Sequence, residues 1–475
     1  LSQGIFYMGK YKELLLNTGL FAISSISSKL ISFILVPLYT YYLSTSEYGV
    51  TDMSVIVISL ITPLCTGSIT DAVLRFAIDD RKQSAKYISI GLQVTIFSIL
   101  IVGLLLPLLD LPFLGGLGQY KLLFLLNYIV SILQLFLSNV ARINNQLKLI
   151  PISSVISSLS NMFFAYIFIV LENLRVNGYF YSMILSGVLG IIAFIWNKNM
   201  HIPIILDKSN IQLLKRMFVF ALPLVPNAVF WWIGTSVNRF LITSMIGIAS
   251  SGLFAAASKI PNLITMVYQI FQQAWNLSVF QEFRHSGLAR FYENIFKIIL
   301  SILSVSASVL IVSSKPIAEL FLQKNFYSSW TLMPLLIVAV YFNSLNSFLG
   351  TISTACMKTK NLLVTTFFGA LLNICFTWIL IPICGLYGAC IGMVISNFAI
   401  LVLRFIISLR LLKFHIPWVS MAMLFAGLSL QAILKIYSGF PSLLIQICLI
   451  FVIWVISISM IAPLANYLNF NRRKG

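Results

Sequence analysis

The chain has 475 residues, of which 59% are hydrophobic and only 9% charged, with a formal net charge of +19 and a mean hydropathy of +0.98. So little charge cannot cover a soluble protein of this size, which makes lipid the expected solvent. The apolar runs are 18 residues or longer, enough to cross about 30 Å of hydrocarbon as helices, and lack the alternation over about ten residues that a barrel strand shows.

An all-α polytopic membrane protein of about 14 transmembrane helices is therefore predicted, with spans near 14–43, 49–74, 86–109, 120–141, 150–171, 178–198 and 216–246. They continue at 250–281, 292–313, 330–354, 361–382, 386–411, 418–436 and 442–465. Before them, Met8 followed by Gly-Lys-Tyr-Lys reads as a more natural start than Leu1, which would make Leu1 to Tyr7 upstream sequence. The first apolar stretch is too long for a signal peptide and lacks a small-residue cleavage site.

The first span holds Lys29, in the stretch SKLISFILVPLYTYYLSTSEYG from Ser28 to Gly49. At 1.5 Å per residue Lys29 sits about 21 Å from either end, too deep for its ammonium to snorkel. Ser25 and Ser32 lie one turn away on the same face, with Ser28 beside them. That polar stripe should line a water-filled cavity or enter a structural pairing, because a charge facing lipid is costly. In the second span Asp52 sits just past the outer turn and Asp71 near the inner end. Either can meet a cation as a gate or ion pair, Asp71 with Arg75 at i,i+4 being the plainest.

Pro223-Leu-Val-Pro226-Asn227 should break the seventh span near its inner end. Arg239 then lies roughly 10 Å, and Lys259 on the eighth span roughly 14 Å, from the outer interface. Each either lines a cavity or snorkels. Asn227, Asn238, Gln269, Gln272, Gln273 and Asn276 share these two spans, as a sugar- or phosphate-lined passage requires. Trp231, Trp232 and Trp275 either stack on sugars or pack against lipid. Arg404, close to the inner end of its span, is expected to snorkel. Three candidate cavity cations thus face few candidate anions, which suits an anionic substrate.

Neither zinc nor a disulfide framework is expected from six cysteines in or near spans and from His201, His285 and His415, far apart in loops. The outer loops are short and carry no cluster of acid, base or nucleophile, so no catalytic residue and no enzymatic activity is expected. With a cytoplasmic N-terminus, the outer segments hold only Lys121, Arg175, Lys315, Lys324 and Lys435, and the other loop cations fall inside. That asymmetry places both termini in the cytoplasm. It also makes most of the +19 a matter of topology and contact with anionic lipid rather than nucleic-acid binding.

The sequence also repeats. The segment from Phe21 ending at Gly49 lies on that from Phe220 ending at Gly252, and the segment from Asn144 lies on that from Cys356, with Asn161 on Asn373. Six spans separate the copies, so two pseudo-symmetric six-helix lobes of equal orientation around a central cavity are predicted. The divisions expected are a cytoplasmic segment 1–13, an N-lobe 14–205, a C-lobe 206–415, two extra helices 416–466 and a basic tail 467–475.

The Ser28–Gly49 stretch with Asp52, AVLRF at Ala72–Phe76, NRF at Asn238–Phe240, ASKI at Ala257–Ile260 and GLYGA at Gly385–Ala389 occur in an ordered set. In this the chain resembles the Wzx-like polysaccharide-biosynthesis flippases of the multidrug/oligosaccharidyl-lipid/polysaccharide (MOP) exporter superfamily. The resemblance implies a two-lobed bundle of the bacterial cytoplasmic membrane. Such a bundle moves undecaprenyl-pyrophosphate-linked oligosaccharide repeat units for O-antigen, capsule or exopolysaccharide synthesis by alternating access. It also implies cationic cavity residues, which fall here on Lys29, Arg239 and Lys259. Membrane lipids and other polysaccharide assembly proteins are the implied partners. No cofactor is implied beyond coupling to the membrane potential or to Na+ or H+. One departure is Tyr41 in YTYYL, where many relatives carry a basic residue, making the outer gate less positive. The alternatives are a multidrug-type cation-coupled antiporter of the same superfamily, which needs acidic cavity residues, and a membrane polysaccharide polymerase or ligase.

Overall fold

The computed structural model describes residues 30–205, 210–266, 268–269, 271–272, 275, 288–356, 358–436 and 440–472. Among them there is no strand. Eleven helical segments are long and apolar enough to cross a membrane, and two shorter apolar helices, Leu30–Tyr42 and Leu444–Met460, accompany them. The chain is a multi-pass helical membrane protein. The first expected span, 14–43, and the eighth, 250–281, lie only partly within the described residues.

The helices α1 (Leu30–Tyr42), α2 (Thr45–Thr66), α3 (Ile69–Asp79), α4 (Ser84–Leu105) and α5 (Lys121–Ile143) open the chain. After them come α6 (Leu149–Ala165), α7 (Arg175–Ile195), α8 (Asn210–Ala221), α9 (Leu224–Met245) and α10 (Ile248–Lys259). Then follow α11 (Leu288–Val312), α12 (Ser314–Phe321), α13 (Met333–Ala355), α14 (Thr359–Cys384), α15 (Leu386–Leu411), α16 (Trp418–Ile436) and α17 (Phe440–Arg472). The chain divides into two compact units at Gly252/Leu253. Helices α8 and α9 therefore pack with the first unit, whereas the sequence suggested a lobe boundary after residue 205. Met217 and Ala221 of α8 join a core with Ile69, Val73, Phe136 and Val140, and the Trp232 indole of α9 donates to Ile56 O on α2 at 3.1 Å.

The STSEYG motif starts α2 for local reasons. Ser44 is the N-cap: its Oγ accepts from Glu47 N at 3.2 Å, and Glu47 Oε2 accepts from Ser44 N at 2.7 Å. This reciprocal capping box satisfies two donors that a helix start leaves open. Glu47 also pairs with Arg175 at the start of α7, 3.3 Å away. Gly49, one turn on, is required by a close crossing. A Cβ there would meet the carbonyl oxygen of Ile248, and one on Gly252 would meet the carbonyl oxygen of Thr45. The first turns of α2 and α10 thus touch reciprocally, glycine against glycine, at the very positions the internal repeat equates.

The second expected span, 49–74, is two helices. Gly67 (φ 57°) ends α2 with its N–H on Pro63 O, and Ser68 (φ 53°) is also left-handed before α3 restarts. Gly67 supplies the conformation that L-residues avoid. The seventh span breaks where its prolines predict, α8 stopping at Ala221 and α9 restarting at Leu224.

In the second unit α13 is the central helix, with 17 of its 23 residues buried. Its Phe348 packs against Trp275, Tyr292 and Phe296. The last two helices are tied on by buried amides. Gln431 Nε2 donates to Ser308 O (3.4 Å), and Gln446 Nε2 donates to Gln431 O (3.0 Å).

Overpacking the glycine crossing should destabilise the first unit. Gly252→Val is expected to cost about 1–3 kcal/mol and to lower the detergent-solubilised melting temperature. Gly103→Ala, inside α4 with nothing within 4 Å of the added methyl, should instead raise it through a helix preference of about 0.5–1 kcal/mol. Equal melting of the two variants would contradict this reading of the crossing.

Candidate functional site

The cationic side chains expected at depth are three, and two fall on described residues. Lys29 lies outside them, as do Ser25, Ser28, Gln273 and Asn276. Arg239, on α9, is held by Asp52 on α2. Its Nε stands 3.5 Å from Asp52 Oδ2, with the two side chains 15% and 13% exposed. Its Nη1 also donates to Thr235 O, one turn back, at 3.2 Å. The NRF motif and the acid that follows SEYG therefore meet as one largely buried ion pair. In a low dielectric the attraction is strong, and so is the desolvation each charge suffers, which makes the pair hard to break by removing one partner.

Aromatic rings cluster near the Asp52 end of the pair. Tyr48, one turn before Asp52 on α2, is buried. Its ring lies 6.5 Å from that of Tyr39, which lies 5.4 Å from that of Tyr179. The Tyr39 hydroxyl accepts from Asn161 Nδ2 at 3.4 Å. Phe240, beside Arg239, packs on Trp232 and lines an apolar cavity of about 210 Å³ with Val57, Leu105, Phe113 and Phe124. Engineered cavities of about 150 Å³ already accept a benzene ring. Tyr39, Tyr48 and Tyr179 are not among the residues the sequence singles out, although the tyrosine-rich run 39–42 is a signal for the first of them, and Asn161 enters there only through the internal repeat. Tyr41 itself is exposed and packs edge-on against Tyr42.

Lys259 is half-buried in the last turn of α10, where a cation complements the helix dipole. Asn238 is buried, Gln272 half-buried, and Ser32, Asn227 and Gln269 are exposed. Trp232 and Trp275 are buried in the core, Trp275 donating to Thr351 Oγ1 at 3.1 Å, so they pack rather than stand open to a sugar; Trp231 is exposed. The pair expected between Asp71 and Arg75 is not formed. Arg75 Nε binds Asp79 Oδ2 at 3.1 Å instead, and Asp71 occupies the first turn of α3, where the break at Gly67–Ser68 gives it a helix N-terminus. Arg404 does not snorkel either: its guanidinium turns onto Asn346, Thr365 and Thr366 within the second unit. Among the described residues no group of three or more His, Cys, Asp or Glu could hold a metal.

This architecture recurs in solved structures. The chain superposes on the lipid II flippase MurJ with a TM-score of 0.70 at 16% identity, covering 93% of this chain and 98% of that one. An inward-facing multidrug resistance MATE family transporter of the MOP superfamily gives 0.67 at 16% identity, over 86% and 99%. A point mutant of the Vibrio cholerae MATE transporter VcmN gives 0.58 at 16% identity, over 84% and 97%. These likenesses show the fold alone, a helical membrane bundle of the kind seen in MurJ and the MATE transporters. Residues 14–276 match the family described as polysaccharide biosynthesis protein, and the chain belongs to that family. No curated protein matches it.

The buried pair gives a direct test. Asp52→Asn and Arg239→Gln should each destabilise the protein by about 3 kcal/mol, because each leaves the other charge buried alone. The double variant should lose much less than the sum, since contacting sites couple. Additive melting-temperature losses would show that the two side chains do not depend on each other.

Proposed function

We propose that the chain flips undecaprenyl-pyrophosphate-linked oligosaccharide repeat units across the bacterial cytoplasmic membrane by alternating access, feeding a surface polysaccharide. The termini are cytoplasmic in this reading. Family membership supports the class of substrate. The observation that carries the reading is a guanidinium, Arg239, held inside a span beside the Asp52 carboxylate. Guanidinium and ammonium groups are the natural partners of phosphate. A hydrocarbon-lined cavity at the next residue suits an amphiphile better than a soluble anion.

In this mechanism Lys29, Arg239 and Lys259 each present positive charge to the pyrophosphate. Arg239 exchanges Asp52 for the incoming anion, so its charge is compensated in both states and neither state leaves it alone in lipid. An inside-negative potential favours outward passage of the anion by about 2.3 kcal/mol per charge per 100 mV fully crossed. Coupling to Na+ or H+ would add to that drive.

The antiporter alternative keeps some support from the MATE-like fold. It calls for an acid available to a cationic drug or ion, whereas Asp52 is engaged by Arg239.

Reconstituted in liposomes with a fluorescent lipid-linked oligosaccharide, Lys29→Ala and Arg239→Ala should each slow flipping tenfold or more, with folding checked by melting. Wild-type rates in both would remove these residues from the site.

A further inference from the structure

Arg404 is a buried cation that the transport reading leaves unused. It lies seven residues before the end of α15, about 10 Å along the axis at 1.5 Å per residue, inside a membrane-crossing helix. A guanidinium has five N–H donors. Nε donates to Thr365 Oγ1 at 3.2 Å, Nη2 to Thr366 Oγ1 at 3.2 Å and Nη1 to Asn346 O at 2.5 Å. All three acceptors are neutral, and among the described residues no carboxylate forms an ion pair with Arg404. The donors left over are one on Nη1 and one on Nη2, and two N–H groups of one guanidinium can grip an oxyanion through two bonds.

Two further polar groups are left over in the same unit. Tyr268, 3% exposed, has a buried hydroxyl that meets no hydrogen-bond partner and acts electrostatically on Arg404. Buried phenols almost always find one. Asn346, 2% exposed, gives its Nδ2 to Asn397 O at 2.9 Å, while its Oδ1 is buried and accepts nothing. The donors of Arg404 and Tyr268 ask for an anion, and the acceptor of Asn346 asks for a proton. A fully deprotonated oxyanion or a halide answers only the first demand. A phosphate carrying one P–OH answers both.

We propose that Arg404, Tyr268 and Asn346 form a binding site in the second unit for a singly protonated phosphate, either free orthophosphate or the headgroup of a lipid phosphomonoester. Thr366 is half-buried and Val402 and Leu403 beside Arg404 are exposed, so these residues connect the site to the surface of the unit. The proposal does not depend on the roles given to Lys29, Arg239 and Lys259.

The full chain in nanodiscs of neutral phosphatidylcholine provides the test, read by melting temperature against added ligand. Orthophosphate should raise the melting temperature at least tenfold more effectively, by concentration, than sulfate, which has no proton to give at neutral pH. Nanodiscs doped with phosphatidic acid should reproduce the rise if the source is a lipid. A response to phosphatidic acid alone identifies a lipid ligand, and a response to both a site for either source. Tyr268→Phe, which removes one oxygen, and Arg404→Lys, which keeps the charge but loses the guanidinium's paired N–H groups, should each weaken the response about tenfold. The unliganded melting of Tyr268→Phe shows whether that variant is folded. A wild-type protein indifferent to both phosphates, a stabilisation by sulfate as large as that by orthophosphate, or variants that respond like wild type would each overturn the site.

Discussion

A full charge inside hydrocarbon has to be met by another charge or by a dense set of dipoles, and the first unit is organised around one such meeting. Asp52 and Arg239 are brought within 3.5 Å by helices far apart in the chain. Every local feature near them serves that approach. The capping box at Ser44–Glu47 fixes where α2 begins, and Glu47 ties that start to α7. Gly49 and Gly252 let α10 cross closely, and the Trp232 indole pins α9 to α2 at Ile56. A short sequence motif is thus a set of separate physical jobs: a cap, a close crossing and a charge.

The second unit meets the same constraint differently. Arg404 has no acid opposite it among the described residues; a backbone carbonyl and two threonine hydroxyls take its donors. Neutral dipoles compensate a buried charge less completely than a carboxylate does. One unit therefore holds its guanidinium in a paired state and the other in a solvated one. That difference is what a superposition on a common fold does not convey, since MurJ and the MATE transporters share the architecture at 16% identity.

Much of the architecture was legible because hydrophobic length is a strong signal in lipid. The break at Pro223 was legible too, since proline removes a donor and clashes with the preceding turn. The break at Gly67–Ser68 was not. A glycine within an apolar run reads equally well as a packing position, and only the left-handed pair of residues shows a restart. That restart is why Asp71 became a first-turn residue and Arg75 turned to Asp79. Arg404 was misjudged from its distance to the helix end, which says nothing about which neighbours face it. Asp52 was recognised as a residue needing a cation, but its partner could not be named from spacing, because the contact crosses from α2 to α9. The tyrosine-rich run 39–42 marks the neighbourhood in the sequence, but what its rings pack against depends on that same long-range pairing.

The Asp52–Arg239 contact also sets an order of events during synthesis. A ribosome adding roughly 5–20 residues per second delivers α2 to the bilayer on the order of ten seconds before α9 exists. Through that interval the carboxylate has to be kept from bare lipid by water or by the insertion machinery. The early helices can settle into their final arrangement only once the seventh span arrives with its guanidinium, so the first unit matures from its last-made helix backwards.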